Sequence, residues 1–258
     1  SACLVGSEMC IRDSIITAPF LLNELWELCG KKMTDDIDLR LMDPFYRIRF
    51  DDGTHFDYTG DPARMRAEVA KFAPEDLPGY ERFLAEAEKC YKLGFQELSS
   101  TAFDSIGDLV RAIPSMMKMR AWESIYQLVA RHLKNDKIRQ VMSFHPLLIG
   151  GNPFSVTAVY ALINSLERRH GVHSAMGGTG SLIKGLAGLL ADRGVEIRLN
   201  SEVKRIEVLD GKAQGVTLAN GEFIPSDIVV SNADAAWTYQ KLIAPEHRKV
   251  WTDAKVDK

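Results

Sequence analysis

The sequence predicts a mixed α/β fold, in which a largely helical region is followed by a smaller region with a β-meander. Three observations support this prediction. Apolar residues recur at helical spacing through most of residues 78–169. Aromatic and polar residues alternate over residues 44–58 about Asp52-Gly53, which is a strong hairpin signal. Further along, Asp210-Gly211 and Asn220-Gly221 are placed as the two turns of a three-stranded meander.

The composition of the 258 residues excludes several classes of protein. Hydrophobic residues make up 46% and charged residues 26%, as in folded soluble proteins. The net charge of −3 does not indicate the excess of positive charge that is typical of nucleic-acid-binding proteins. No apolar run reaches the ~18 residues of a transmembrane helix. The four cysteines form no CxxC pair, so we expect no metal site and a reducing compartment, most simply the cytoplasm.

The two ends of the chain look unlike the ends of a natural protein. Residues 1–14, SACLVGSEMCIRDS, lack an initiating Met and fit no signal peptide. They resemble a translated sequencing-adaptor read-through, so we expect them to be non-native and leave them out of the fold prediction. The last residues, HRKVWTDAKVDK, are polar and carry no terminating motif. Both observations favour a fragment of a longer protein.

The helical region begins with an apolar helix over residues 15–29, with Pro19 near its start and Gly30 as a stop signal. The aromatic hairpin follows. Further helices are predicted over residues 78–98, 105–113, 116–133, 135–144 and 155–169.

The pattern changes at residue 176. A glycine cluster opens an amphipathic helix that ends at Gly194, and VEIRL, residues 195–199, then supplies a short strand. The meander follows, and a last apolar strand is predicted from Ile228 to Val230, before the polar SNAD.

The glycine cluster fails the spacing test of a dinucleotide fingerprint. With Gly178 and Gly180 as the first pair of GxGxxG, the third glycine would stand at position 183, where the sequence has Ile183. Glycines before a helix can still bring backbone N–H groups close to an anion or a ring. The pattern alone favours the other interpretation, a tight loop with no ligand.

SFHPLLIGGNPF, residues 143–154, is a second unusual stretch, rigid and closely packed around proline and glycine. A lone histidine such as His145 is more often a hydrogen-bonded core residue than a catalyst. The alternative is that His145, Asn152 and Phe154 line a substrate pocket.

Asp108 and Arg111 lie three residues apart on a predicted helix and so face the same way. Sequence alone favours an exposed ion pair of small energetic consequence. The alternative is a carboxylate and a guanidinium at the mouth of an apolar pocket. The surrounding segment, Ile106 to Met119, is apolar with basic edges, which is equally consistent with a core helix and with a helix resting on a membrane.

In order along the chain, several stretches resemble the bacterial phytoene desaturases, which are FAD-dependent carotenoid desaturases related to the amine-oxidase flavoproteins. The resemblance runs from about Ile16 to Ala244 and is carried by DPFYRIRFDDGTHFDY, FAPEDLPGYERFL, SFHPLLIGGNPF, GVHSAMGGTGSL, LNSEVKRIEV and VVSNADAAWTY.

The resemblance implies a two-domain FAD-dependent oxidoreductase in which a substrate domain is inserted into a split FAD domain. Residues 15–172 are then expected to form the substrate domain, and residues 173–258 the returning part of the FAD domain. The family's GxGxxG unit would precede residue 1 and its closing flavin segment would follow Lys258. The chain alone is therefore expected to lack much of the FAD pocket.

The chemistry implied by the resemblance is removal of hydrogen from adjacent carbons of a long polyene, with FAD taking the hydride and a quinone or oxygen reoxidising it. Asp108 and Arg111 match the Asp and Arg of the family's FRDMLR-like motif and are the implied catalytic residues. An arginine common before that Asp is replaced here by Gly107, which weakens any role that needs two arginines.

The resemblance also implies cofactor contacts. Val203 matches a residue that meets the adenine edge through its backbone. The segment Ser231, Asn232 and Ala233 would lie near the pyrophosphate, and Gly177, Gly178 and Gly180 would lie where the chain returns to the flavin domain.

A carotenoid substrate resides in the bilayer, so we expect a protein bound peripherally to the inner face of the cell membrane, through Ile106 to Met119. The runner-up interpretations are a carotenoid ketolase, a later-step carotenoid desaturase or an amine oxidase of the same flavoprotein group. A different class is a non-catalytic lipid-binding fragment, because the fingerprint is missing from this chain.

Overall fold

The computed structural model describes residues 15–99, 105–248 and 250–256. Ten α-helices lie in these ranges: α1 Pro19–Leu28, α2 Pro62–Phe72, α3 Leu77–Cys90, α4 Ile106–Lys118, α5 Ile125–His132, α6 Asp136–Ser143, α7 Leu162–His170, α8 Thr179–Asp192, α9 Ala235–Trp237 and α10 Asp253–Val256. Seven strands accompany them: β1 Leu39–Leu41, β2 Tyr46–Arg49, β3 His55–Tyr58, β4 His173–Ala175, β5 Val203–Leu209, β6 Lys212–Leu218 and β7 Phe223–Pro225. The mixed α/β class is confirmed.

The chain divides into two compact units, Ser1–Leu189 and Leu190–Lys258. The division falls after the sequence-based boundary at residues 172/173, because the glycine loop and most of α8 pack with the first unit. We describe each unit by itself.

The main core of the first unit forms around α3. Its side chains Tyr80, Phe83, Leu84 and Ala87 are buried, and their spacing of three and four residues places them on one face. Against this face pack the hairpin and the apolar faces of α2, α5 and α6. The chain continues past α3 as a π-helix, Tyr91–Glu97.

The aromatic hairpin is confirmed. β2 and β3 pair antiparallel, with Tyr46 opposite Tyr58 and Ile48 opposite Phe56. The turn uses Gly53 at a φ of 80°, a left-handed conformation that favours glycine. Phe56 and Tyr58 are fully buried, so the hairpin contributes one aromatic face to the core.

A second, smaller core lies in the same unit. Trp26 of α1 packs there with Met33, Ile37 and Leu189. The indole N–H of Trp26 donates a hydrogen bond of 2.7 Å to Asp36, which satisfies its one polar group. This core joins α1 to α8, although the predicted domain boundary at residues 172/173 separates the two helices.

In the same unit, β1 pairs antiparallel with β4, with Leu39 opposite Ala175 and Leu41 opposite His173. The pairing brings together residues more than a hundred positions apart in sequence. The chain between β1 and β4 therefore begins and ends at neighbouring positions in the structure.

The second unit contains the predicted meander, with β5, β6 and β7 in sequential antiparallel order. Asp210 and Gly211 adopt positive φ values of 50° and 76° at the first turn, as a tight primed turn requires. At the second turn, the Asn220 side chain accepts a 2.9 Å hydrogen bond from the backbone N–H of Glu222.

Two predicted strands are wrong. Residues 195–199 and Ile228 to Val230 have no strand structure. Both segments are apolar, but 80% of Leu199 and 87% of Val230 are exposed, and neither segment pairs with another strand among the described residues. An apolar sequence alone does not make a strand, because the backbone N–H and C=O groups need a partner. Across the described residues, no helix combines the length and apolar character needed to span a bilayer.

Candidate functional site

The glycine loop before α8 presents bare backbone to its surroundings. Gly177 and Gly178 have φ values of 81° and 76°, which only glycine adopts without strain. A Cβ added at Gly178 or Gly180 would have nothing within 4 Å, so both positions face open space. The hydroxyl of Ser181 donates a 2.7 Å hydrogen bond to the Gly178 carbonyl and fixes the loop at the helix start. A flat or anionic group can approach this backbone closely.

The other predicted cofactor residues lie in the second unit. Ser231 and Ala233 line a cavity of about 380 Å³ whose other walls are mainly apolar side chains of β5, β6 and the segment after α9. The Ser231 hydroxyl shares a 2.8 Å hydrogen bond with the hydroxyl of Thr238. Val203 begins β5 opposite Leu218 and does not line this cavity, and neither does Asn232. The structure therefore brings two of these four residues together.

Asp108 and Arg111 are brought together as predicted, near the start of α4. Arg111 Nη1 lies 3.3 Å from Asp108 Oδ1, and 84% of the Arg111 side chain is exposed. The hydroxyl of Ser105 donates a 2.5 Å hydrogen bond to Asp108 and accepts one of 3.1 Å from its backbone N–H. Asp108 thus takes part in the N-terminal cap of α4, which is a structural role. A catalytic role would be in addition to it.

The helix that carries this pair exposes a row of large apolar side chains, which we call the α4 apolar face: Ile106, Leu109, Val110, Ile113 and Met117. Their spacing of three and four residues places them along one side of the helix. Ala112 and Met119 are buried and hold α4 to the rest of the unit. A contiguous exposed row of this kind marks a surface that meets a protein, a ligand or a membrane.

His145 is fully buried, and the structure gives it a partner that the sequence did not reveal. Its Nε2 lies 3.0 Å from Glu167 Oε2, and Tyr46 donates a 2.7 Å hydrogen bond to the other carboxylate oxygen. Burial and the neighbouring Glu167 carboxylate raise the pKa of the Tyr46 hydroxyl. His145 is therefore a hydrogen-bonded core residue, the first of the two alternatives.

Asn152 and Phe154 lie in the turn that follows. The Asn152 side chain accepts a 2.9 Å hydrogen bond from the backbone N–H of Phe154. The Phe154 ring is exposed and packs against Tyr126, with 4.6 Å between the ring centroids. The three residues predicted for a substrate pocket are thus separated by burial, since His145 is inside the core and Phe154 is on the surface.

Sequence reasoning missed Tyr46 and Glu167. Glu167 lies 22 positions from His145 and 121 positions from Tyr46 in the sequence, so their contacts leave no local pattern. The same reasoning also missed a second polar group, the pair Asn164 and Tyr58, in which the Tyr58 hydroxyl donates a 3.0 Å hydrogen bond to Asn164. The one available signal was the repeated pairing of aromatic residues with polar ones at 44–58. Among the described residues, no cluster of three or more histidine, cysteine or acidic side chains is placed to hold a metal ion.

The sequence profile of the family described as flavin containing amine oxidoreductase matches residues 14–255. The chain belongs to this family. Its match extends over both structural units, so the helical unit and the meander unit belong to one flavoprotein architecture.

Several curated members of this flavin-dependent family are similar to the chain. It is 41% identical over 251 residues to a neurosporene-forming phytoene desaturase of Cereibacter sphaeroides, covering 97% of the chain and 48% of that protein. It is 42% identical over 230 residues to a lycopene-forming phytoene desaturase of Pseudescherichia vulneris, covering 89% and 47%. An all-trans-zeta-carotene desaturase of Myxococcus xanthus is 29% identical over 238 residues, covering 92% and 45%. The chain spans about half the length of these relatives.

Family membership makes FAD the cofactor, and the structure allows a test of whether the residues present fit it. The glycine loop fits the close approach of a ring or a phosphate at Gly178 and Gly180, since both positions face open space. The cavity at Ser231 and Ala233 has apolar walls and a hydroxyl, as nucleotide sites commonly do. The residues fit the cofactor at these two places, each within its own unit.

Proposed function

We propose that this chain is part of an FAD-dependent desaturase that introduces C=C bonds into phytoene in carotenoid biosynthesis. The single observation that carries the proposal is the 41% identity to a phytoene desaturase across 97% of the chain. The lower identity of 29% to a zeta-carotene desaturase favours phytoene over a later intermediate.

The chemistry requires a hydride acceptor, a proton acceptor and an apolar, water-free environment. FAD supplies the hydride acceptor when it is bound, and a quinone or oxygen is the oxidant that we expect to restore it. The glycine loop and the Ser231 cavity are the elements that would hold the cofactor. Val203 remains a proposed contact through its backbone atoms, and Asn232 remains a proposed residue near the pyrophosphate.

The proton acceptor that we assign is the Asp108 carboxylate, with Arg111 beside it. Loss of a proton and a hydride from adjacent carbons leaves the new C=C bond, and the proton passes to Asp108. Support for this assignment comes from the position of Asp108 on α4, at one end of the α4 apolar face. A long polyene would lie along such a face.

The same face gives the chain a means of reaching its substrate. A long polyene such as phytoene is dissolved in the bilayer. An amphipathic helix with exposed apolar side chains lies in the membrane interface. The proposed location is therefore the inner surface of the cell membrane. Lys118, in the last turn of α4, would meet the headgroups.

A chimera tests the proposal, because the chain spans about half of its relatives. Residues 15–256 replace the matching segment of the Cereibacter sphaeroides phytoene desaturase, and the purified protein is assayed with FAD in liposomes containing phytoene or zeta-carotene. We expect phytoene to be consumed. The same segment of the Myxococcus xanthus protein serves as the matched control and should favour zeta-carotene. A folded chimera that binds FAD and consumes neither carotenoid would refute the proposal.

A further inference from the structure

A groove of about 410 Å³ in the first unit lies between the end of α4 and the junction of α3 with the π-helix. It is lined by Lys89, Lys92, Leu93, Glu97 and Lys118, and we call it the lysine groove. The aliphatic stems of the lysines and the side chain of Leu93 make its inner surface mainly apolar, while the ammonium groups lie at its edge. None of these residues belongs to the proposed catalytic pair or cofactor contacts.

The lysine groove continues the basic edge of α4. Arg111 and Lys118 are seven residues apart, so they lie on one side of the helix, at the flank of the α4 apolar face. Both side chains are exposed. Arg111 is paired with Asp108, whereas Lys118 has no ion pair with any described residue. The ammonium group of Lys118 is therefore available where the apolar face meets the groove.

The acidic side chains around the groove offset only part of its positive charge. Lys89 pairs with Glu86 at 2.9 Å, so these two charges cancel. Glu88 lies 3.7 Å from Lys92 but also pairs with Arg169, at 2.5 Å. Because one carboxylate serves two cations there, that group keeps one positive charge.

The same imbalance recurs just beyond α4. Arg120, two residues after Lys118, shares the Glu123 carboxylate with Arg131. Glu97 is the acidic residue in the wall of the groove, and it has no ion pair with any described residue. Its negative charge is outnumbered by the three positive charges left at Lys118 and at the two shared carboxylates. This surface is positive although the chain as a whole carries a net charge of −3.

An anionic bilayer surface complements both parts of this arrangement. The acyl region takes up exposed apolar side chains, and the lipid phosphates lie at the depth reached by lysines at the edge of an interfacial helix. Anionic headgroups also attract Lys and Arg near the membrane more strongly than zwitterionic ones do. An acidic protein would offset the basic groups but would leave the exposed apolar row of α4 without a matching partner.

We infer that the lysine groove and the α4 apolar face together bind anionic phospholipids, with a headgroup phosphate held in the groove by Lys92 and Lys118. The inference rests on the proposed membrane contact through α4 and adds to it the class of lipid that the protein selects. The Asp108 carboxylate takes no part in it.

Vesicle flotation of the 258-residue chain tests the inference. One set of vesicles contains phosphatidylcholine alone, and in the other phosphatidylglycerol replaces part of it. We expect the anionic vesicles to be bound about tenfold or more tightly, and this preference to weaken as sodium chloride is added. Lys92→Gln with Lys118→Gln should weaken binding to anionic vesicles by about 10- to 30-fold and leave binding to phosphatidylcholine unchanged.

Two further variants sharpen the experiment. Glu97→Gln should strengthen binding to anionic vesicles by about fivefold, because it removes the negative charge of the groove. Lys204→Gln with Lys241→Gln is the matched control, since both lysines are exposed, lie in the second unit and change the net charge of the chain equally. This control should retain the anionic preference.

Each outcome supports or overturns the inference. Loss of the anionic preference in the groove variant, with its retention in the control, supports it. Equal binding of both vesicle types by the parent leaves the membrane contact of α4 in place and overturns the lipid selection. Equal weakening by the groove and control variants shows a diffuse charge effect and also overturns it, as does binding of polyglutamate as tightly as of anionic vesicles. No binding to either vesicle by a parent whose circular dichroism shows it folded refutes the membrane contact itself.

Discussion

His145 and Glu167 form a fully buried pair, with 3.0 Å between Nε2 and Oε2 and with at most 1% of either side chain exposed. Removing one partner of such a pair leaves the other in a medium that solvates it poorly. His145→Leu should therefore lower the free energy of unfolding by about 3–5 kcal/mol. Glu167→Gln should cost less, because the amide keeps an acceptor for Tyr46. Urea denaturation of the 258-residue chain measures both.

Arg40→Gln provides the comparison for this pair, since Arg40 and Asp38 form an exposed ion pair at 3.0 Å. Exposed pairs contribute little to stability, so we expect no measurable change there. A His145→Leu variant as stable as Arg40→Gln would show that the buried pair contributes nothing to the fold.

Two glycines of α8 give a second, sharper pair of predictions. A Cβ at Gly185 would lie 2.8 Å from Ile37 Cγ1, whereas a Cβ at Gly188 would have nothing within 4 Å. Gly185→Ala should destabilise by about 1–3 kcal/mol through overpacking. Gly188→Ala should stabilise by about 0.5–1 kcal/mol, because alanine restricts the unfolded chain and favours the helix.

Thermal or urea unfolding of these two variants therefore tests the packing of α8 against Ile37 in the smaller core. The same substitution on the same helix is expected to act in opposite directions. Equal effects at both positions would mean that Gly185 does not face Ile37.

The catalytic assignment of Asp108 is tested against its structural role in the α4 cap. Asp108→Asn keeps the shape of the side chain but removes the carboxylate, so phytoene turnover by the chimera should fall by about 10²–10⁴-fold. Ser105→Ala removes the capping hydroxyl and should cost about 1 kcal/mol of stability. It should leave turnover nearly intact. If the two variants have the same turnover, Asp108 acts only as a helix cap.

The α4 apolar face is tested by adding charge to it. Val110→Glu with Met117→Glu places two carboxylates on side chains that are more than half exposed, so folding should be retained. Liposome binding of the chimera should fall about tenfold or more, because two apolar anchors are lost from the interface. FAD content, followed by flavin absorbance, should not change.

Leu209→Glu is the matched control for that experiment, because Leu209 is equally exposed and lies in the meander unit. It should co-sediment with liposomes as the parent does. Release of both variants to the same extent would reflect general charge repulsion instead of a contact through α4.

Sequence patterns predicted well those elements whose signal is local. The hairpin at Asp52-Gly53 and the turn at Asp210-Gly211 were found because the residue types that favour a two-residue turn are adjacent in the sequence. Most helices were found because an amphipathic face repeats over several turns, but α2 was not predicted, and the helix predicted over residues 116–133 is divided between α4 and α5. Predicted helix ends were less accurate, as in α1, which begins at Pro19 where the prediction began at residue 15.

Elements that depend on a distant partner were not predictable in this way. β1 has only three residues and exists because β4 lies beside it. Conversely, Ile228 to Val230 has a strand-like sequence but no strand to pair with among the described residues. The partner of His145 was hidden for the same reason, since Glu167 follows twenty-two positions later on a separate helix. Which segments or side chains pair depends on the folded chain, and the local sequence does not predict it.

The pairing of β1 with β4 has a consequence for how members of this family diverge. The region between the two strands, residues 42–172, begins and ends on neighbouring strands of one ribbon. Insertions, deletions or exchange by recombination inside this region leave both ribbon ends where they are. The region can therefore change in length while β1, β4 and α8 keep their spacing. Differences in length among relatives should accumulate between these strands and be rare within them.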